Sequence, residues 1–325
     1  QQANFSRVRL GTWIAAPVDI VGLGPGKAPL IRVIGGSVDL RQTSLTRRGD
    51  GSRARNAGGP VSLRLDRLQI SDGLSLTDFY ADLDMSRGVD GQFTGKVNGG
   101  APVSGRITPQ NGGSAFAITA QDAGAVFRSA NLLKQARDGQ LELFLIPGAG
   151  DGVYEGKLNA SNLRITDAPT MAAILNAISL VGILDQLDGD GIHFNDVQAK
   201  FQIAPDRVTL YQGSAVGASM GISMDGYYNV ENKWLDMEGV ISPIYALNLP
   251  GLVARRGEGL IGFHYEVDGQ SAQPRVKVNP LSALTPGALR NLFRGRPPAL
   301  PGQETANESN APSTSSIGSN PGTDR

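Results

Sequence analysis

The stretch Ile261-Gly262-Phe263-His264-Tyr265-Glu266-Val267-Asp268 sets Ile261, Phe263, Tyr265 and Val267 on one parity and Gly262, His264, Glu266 and Asp268 on the other. Successive side chains of a strand point to opposite faces, so this alternation reads as a half-buried antiparallel strand with one apolar and one wet face. Working outward, Met220, Ile222 and Met224 share a face of a second strand, Leu235, Met237 and Ile241 of a third, and Val197, Ala199, Phe201 and Ile203 of a fourth. Ile192 and Phe194 fall on the opposite parity from Val197, which predicts a bulge or bend at Asn195-Asp196. The first half repeats the pattern in Val61, Leu63 and Leu65, in Phe79, Ala81, Leu83 and Met85, in Phe93, Gly95 and Val97, and in Val103, Gly105 and Ile107.

The punctuation between these runs is glycine. The chain carries 43 Gly in 325 residues, about twice the usual share of roughly 7%. Asp-Gly recurs at Asp50-Gly51, Asp72-Gly73, Asp90-Gly91, Asp138-Gly139, Asp151-Gly152, Asp225-Gly226 and Asp268-Gly269, each read as a tight turn. Short strands about ten residues apart with turn signals between them predict an antiparallel meander, a mostly β fold with few helices.

Three segments depart from period two. Residues 122–137 place Ala125, Val126, Ser129, Leu132, Leu133 and Ala136 on a helical stripe, with Asp122 as N-cap and Asp138-Gly139 as the stop. Residues 168–187 form the strongest helical pattern: Asp167 caps, Pro169 sits in the first turn, and Met171, Ile174, Leu175, Ile178 and Val181 recur at three and four. Residues 281–293 carry Leu284, Leu289, Leu292 and Phe293, with Pro286-Gly287 splitting the run. Residues 295–325 are almost free of apolar side chains and are expected to be disordered, and residues 47–59 read as a long loop.

Composition removes several functions. Thirty basic residues balance thirty acidic ones, so there is no surplus charge to neutralise phosphates and nucleic acid is not an expected partner. There is no cysteine, hence no thiolate nucleophile, disulfide framework or Cys-ligated zinc. The chain opens Gln1-Gln2-Ala3, without the pattern of a signal peptide or anchor, and reads as a fragment. Its longest uncharged runs, 168–184 and 208–224, fall short of the roughly 20 residues a spanning helix needs.

Catalytic chemistry finds no purchase either. The two histidines, His193 and His264, lie on the polar faces of strands, read as solvated, and have no third metal ligand at a useful spacing. Ser214 and Ser223 each miss the GxSxG pattern by a residue. Val21 stands where the first Gly of a Walker motif would be, ahead of Gly22-Leu23-Gly24-Pro25-Gly26-Lys27. Asp185, Asp188, Asp190 and Asp196 cluster as calcium ligands do but lack the bidentate Glu. Asp236 and Glu238 share a strand face without any sign of the burial that would part their pKa values. No metal, no cofactor and no enzymatic activity are expected.

What is left is a long apolar face with too few helices to cover it. Two arrangements satisfy it: a sheet that folds on itself as a sandwich, solenoid or barrel, or one that curls into an open groove covered by a ligand with long acyl chains. Periodicity alone leaves both open.

A further pattern runs through Asp122-Ala123-Gly124-Ala125, Tyr154-Glu155-Gly156, Asp167-Ala168-Pro169, Leu180-Val181-Gly182-Ile183-Leu184, Gly191-Ile192-His193-Phe194, Met224-Asp225-Gly226 and Gly239-Val240-Ile241-Ser242-Pro243 to Asn279-Pro280-Leu281-Ser282-Ala283-Leu284-Thr285-Pro286-Gly287. It resembles the C-terminal region of AsmA-like envelope proteins, in particular the YhdP-type branch, over about residues 115–294, and Asn279, Pro280, Leu281 and Ser282 begin its most specific piece. Residues 1–114 match in strand pattern alone. The resemblance implies an elongated, twisted β-groove lined with apolar side chains, in a periplasmic protein anchored in the inner membrane by an N-terminal helix and carrying phospholipid towards the outer membrane. Against that pattern this chain lacks the anchor, and residues 249–256 are short and basic where relatives carry a longer apolar hairpin or helix.

On that reading the expected partners are phospholipid acyl chains and, at the ends of the full-length protein, the two membranes. The residues expected to line the groove are Tyr154, Leu158, Phe201, Ile203, Met220, Ile222, Met224, Leu235, Met237, Ile261, Phe263, Tyr265 and Val267. Met171, Ile174, Leu175, Ile178 and Val181 would plug the groove end, rest on a membrane, or pack as core. The alternative from another class is an assembly factor that binds outer-membrane proteins by edge-strand pairing.

Overall fold

Alternating residues become a sheet when each strand finds its neighbour in register, and here the neighbour is almost always the next strand in the chain. The computed structural model describes residues 2–10, 14–42, 58–110, 113–178, 187, 189–243 and 262–284. Its eighteen strands belong to a single sheet that does not close into a barrel. The first four are β1 (Gln2–Leu10), β2 (Ile14–Val21), β3 (Leu30–Ile34) and β4 (Ser37–Asp39). A continuous meander follows, with β5 (Pro60–Ser71), β6 (Leu74–Asp84), β7 (Asp90–Val97), β8 (Pro102–Gln110) and β9 (Gly113–Ala120). After a short β10 (Ala136–Arg137) come β11 (Gln140–Pro147), β12 (Tyr154–Ile165), β13 (Ile192–Ile203), β14 (Arg207–Val216), β15 (Met220–Asn229), β16 (Trp234–Pro243), β17 (Phe263–Gln270) and β18 (Arg275–Asn279).

The fold is the mostly β meander that the alternation predicts, curled and not closed, with one departure. β3 and β4 lie end to end, both antiparallel to β2 and both parallel to β5. Gly35 and Gly36 join them with φ of 82° and 81°. A side chain at Gly36 would overlap the Ala15 backbone, so this joint needs glycine twice over. The expected boundary between residues 114 and 115 falls inside β9, which pairs β8 on one side and β11 on the other, so the ladder crosses it without interruption.

Of the seven Asp-Gly pairs read as turns, three are turns. Asp72-Gly73, Asp138-Gly139 and Asp151-Gly152 sit between strands, whereas Asp90-Gly91, Asp225-Gly226 and Asp268-Gly269 lie within β7, β15 and β17, and Asp50-Gly51 is outside the described residues. In the ladder these glycines serve close approach: a Cβ at Gly91 or Gly226 would overlap a carbonyl of the neighbouring strand. At Asn195-Asp196 no residue is inserted. The pairing runs Ser161 to Asp196 and Leu163 to Phe194, and Asn162 takes φ 55°, so β12 and β13 bend together and both change parity. The true insertion lies in β14, where Tyr211 and Gln212 stand opposite Asp225 alone.

The helices are shorter than their stripes. Helix α1 (Ala123–Ser129) is capped as expected, the Asp122 carboxylate accepting from Ala125 N at 2.7 Å, but it stops before Asn131, which takes φ 56°. Leu132 and Leu133 are exposed, and Ala136 and Arg137 join the ladder as β10 against Ile165 and Arg164. Helix α2 (Pro169–Ala177) keeps Pro169 in its first turn, but Asp167 takes φ 49° and does not cap it. Residues 179–186 lie outside the described residues, Val181 among them. The third segment is a 3-10 turn over Pro280–Leu284, and residues 285–293 are again outside.

The two rims of the sheet differ. Among the described residues, one carries compact connections: residues 22–29, 85–89, 148–153, 204–206, 230–233 and 271–274. The other carries α1 with β10, α2 and the 3-10 turn after β18.

Candidate functional site

Register places the expected lining residues. Met220, Ile222, Met224, Leu235, Met237, Phe263, Tyr265, Val267, Tyr154, Leu158, Phe201 and Ile203 all fall on one face, in cross-strand rows, while Ile261 lies outside the described residues. One row runs Ile118, Leu143, Leu158, Ala199, Gly213, Met224, Gly239, Tyr265, Val278. The next runs Phe116, Leu145, Gly156, Phe201, Leu210, Gly226, Met237, Val267, Val276. The row beyond holds Pro147, Tyr154, Ile203, Val208, Tyr228, Leu235 and Gly269. No charged side chain interrupts these rows. From β9 to β18 they cross eight strand spacings, roughly 38 Å at about 4.8 Å each.

Burial grades across this face. At the rim that carries α2, Leu163, Ile165, Ile192 and Phe194 are buried together with Ile174, Leu175 and Leu187. Met171 packs half-buried beside them, and Ile178 at the end of α2 is buried as well. α2 leaves the end of β12 and packs against β18, six strands further on. A flat sheet would hold those strands about 29 Å apart, about twice the length of a nine-residue helix. The sheet therefore curls around α2, and the plugging role expected of these residues amounts, among the described ones, to core packing at one rim. Towards the compact rim the face opens: Tyr154, Leu158, Phe201, Ile203, Met224, Leu235 and Met237 are partly exposed, although Tyr265 and Val267 stay buried, while Ile222 and Phe263, also partly exposed, lie in a row nearer the other rim. Burial pushes the Tyr154 phenol above its ordinary pKa.

The floor of the open part is smoothed by a repeated pairing of glycine with an aromatic ring. Gly105 faces Phe93, Gly156 faces Phe201 and Gly239 faces Tyr265, and a Cβ at any of the three would overlap the facing ring. The ring lies down over the strand that lacks a side chain, so bulky residues cover the sheet without standing up from it. Sequence reasoning set Gly105 on an apolar face but missed its place opposite a ring, and it missed Gly156, Gly239, Leu143, Leu145, Val208 and Tyr228 as lining residues; the signal was the same parity count carried one strand further.

The opposite face holds the main surprise. His193 is exposed as expected, but His264 is buried, with Nε2 3.4 Å from the Glu238 carboxylate. Asp225, Ser223 and Ser242 are buried on the same side. The cause at His264 is the turn after β18: Ser282 Oγ accepts from His264 N at 2.8 Å and donates to the Asn279 carbonyl at 2.5 Å. Asn279 Oδ1 accepts from Leu281 N at 3.1 Å, so Asn279 and Ser282 of the expected motif are structural ties, while Leu281 points out at 72% exposure. Asp225 and Glu238 thus correct the expectation of a fully wet acidic face. Among the described residues no three His, Cys, Asp or Glu side chains gather as a metal site, and Asp185 and Asp188 of the acidic cluster lie outside them. No helix of the described residues is long and apolar enough to cross a membrane.

No protein-family profile, curated protein or solved structure matches this chain.

Proposed function

We propose that the chain is a non-enzymatic lipid-binding and lipid-transport module of the bacterial envelope, holding the acyl chains of phospholipid on its apolar face. The observation that carries this reading is the run of charge-free rows from β9 to β18, left partly exposed towards the compact rim although they contain Leu158, Phe201, Ile203, Met224 and Met237. A monomer does not leave such a surface to water without something to cover it. Release of an acyl chain into water costs about 0.8 kcal/mol per methylene, on the order of 10 kcal/mol for a whole chain. A shift by one row exchanges one apolar contact for another and costs little. The rows therefore favour sliding over release, with headgroups in water and no residue doing chemistry. The resemblance of residues 115–294 to the AsmA-like region supports the same reading and, with it, the periplasm, a membrane anchor elsewhere in the full-length protein, and travel of lipid towards the outer membrane.

The test is native mass spectrometry of residues 1–295 purified without detergent, with lipid extraction. Co-purifying phospholipid that disappears in a folded Met224→Asp, Phe263→Asp variant supports the proposal. A folded protein free of lipid even after incubation with liposomes refutes it. That result would favour the assembly reading, for which β1 is the relevant feature: it pairs with β2, and most of its described side chains are exposed.

A further inference from the structure

We propose that the turn following α1, led by Leu132 and Leu133, docks on the surface of an anionic lipid bilayer. The inference does not depend on what fills the apolar face. Leu132 is 74% exposed and Leu133 36%, two consecutive leucines at the outside of the rim that also carries α2 and the exposed Leu281. Single exposed apolar residues are ordinary, but this pair is held outward by the backbone. Leu132 N donates to the Phe127 carbonyl at 2.9 Å, Leu133 N donates to the same carbonyl at 3.3 Å, and Ala136 N donates to the Leu133 carbonyl at 3.3 Å. With Asn131 at φ 56° the turn is tied on both sides, so neither leucine can fold back onto the sheet without breaking it.

The charge around the pair selects the partner. Residues 128–137 contain Arg128, Lys134 and Arg137 and no acid. Arg128 donates to the Ala136 carbonyl, and Arg137 donates to the Lys134 and Ala136 carbonyls at 2.6 and 2.9 Å. Neutral carbonyls fix the guanidinium groups without cancelling their charge. The bounding acids are engaged elsewhere: Asp122 caps α1, and Asp138 pairs with Arg164 at 2.8 Å. Two leucines are far too little for a protein interface of about 1,200–2,000 Å². A bilayer accepts apolar side chains one at a time and rewards cations placed at the headgroup level. Another exposed apolar turn, with Val230 and Trp234, sets Glu231 and Asp236 against Lys233 alone and so presents no net positive charge.

The test is co-sedimentation of the full chain with vesicles of equimolar phosphatidylcholine and phosphatidylglycerol, and with phosphatidylcholine alone. Partitioning onto the anionic vesicles is expected, reduced by added salt, and lowered about tenfold in Leu132→Asp, Leu133→Asp, since both the apolar and the electrostatic contribution are lost. Lys134→Glu should lower it on anionic vesicles only. Val230→Asp, in a turn at the other rim, should bind like the parent, which separates docking at this turn from adsorption by any exposed apolar side chain. Absence of vesicle binding, equal binding by the Leu132→Asp, Leu133→Asp variant, or self-association that this variant abolishes would each overturn the proposal.

Discussion

The Tyr265 hydroxyl donates to the Ser223 carbonyl at 3.0 Å, reaching from β17 across β16 to β15. It can do so because Gly239, directly opposite Tyr265, leaves the path clear. The bond spans three strands of the open half of the sheet and is buried, Tyr265 being 1% exposed. Tyr265→Phe is expected to cost about 1 kcal/mol of stability, the net value of one hydrogen bond. Gly239→Ala should cost more, about 1–3 kcal/mol, because its Cβ must displace the ring or part the strands. Urea denaturation of the two variants checks the order; equal effects would mean that the ring position, and not the hydrogen bond, is what matters.

Leu175 is fully buried where α2 meets the curled end of the sheet. Leu175→Ala is expected to destabilise by about 2–5 kcal/mol through lost burial and a cavity. Ala173, exposed on the same helix, should accept Ser with little change. Thermal unfolding followed by circular dichroism reads both, and a mild effect at Leu175 would mean that the sheet holds its curl without the helix.

Asp268 ties the last hairpin. Lys277 donates to it at 3.0 Å and Arg275 at 2.7 Å, and these partners, Lys277 first, hold its carboxyl below the ordinary carboxylate range. A carboxyl depressed in the folded state adds stability above its ordinary pKa and loses it as pH falls through the depressed value. The β17–β18 hairpin should therefore loosen in acid before the rest of the sheet, seen as faster amide exchange at Val276 and Val278. In Asp268→Asn that acid step should vanish.

Lys233 takes φ 55° in the exposed turn between β15 and β16. An L-residue pays about 1–2 kcal/mol there, part of which glycine returns as lost chain entropy. Lys233→Gly is expected to stabilise slightly, by less than about 1 kcal/mol, as the midpoint of denaturation will show.

The sequence made the strand faces readable because parity is local: each of Met224, Met237, Phe263 and Tyr265 reports its own face without reference to a partner. Pairing is another matter. Nothing in the alternation of Val61, Leu63 and Leu65 says that β5 runs parallel to β3, since parity is the same for either direction. The helical stripe over residues 122–137 was ambiguous for a similar reason. Leu132, Leu133 and Ala136 fit a helix, but Asn131 turns the chain left-handed, and Ala136 is buried as a strand residue instead. His264 looked wet because the segment that buries it, around Ser282, arrives only after another strand has formed. At the candidate site the lining residues were legible and the glycines opposite the rings were not, because a residue without a side chain leaves no mark on a pattern of side chains.

The near-perfect succession of neighbouring strands has a consequence for how the molecule comes to exist. From β5 to β9, and again from β11 to β18, each strand completes its ladder against the one that has just preceded it. Contacts close in sequence are cheap to form, so the sheet can lengthen strand by strand as the chain is extruded, with little need to wait for distant partners. α2 is the exception: it is made early, and its resting place, β18, is the last of the described strands to appear. Until then its apolar side has no seat, and the β17–β18 hairpin is the step that supplies one.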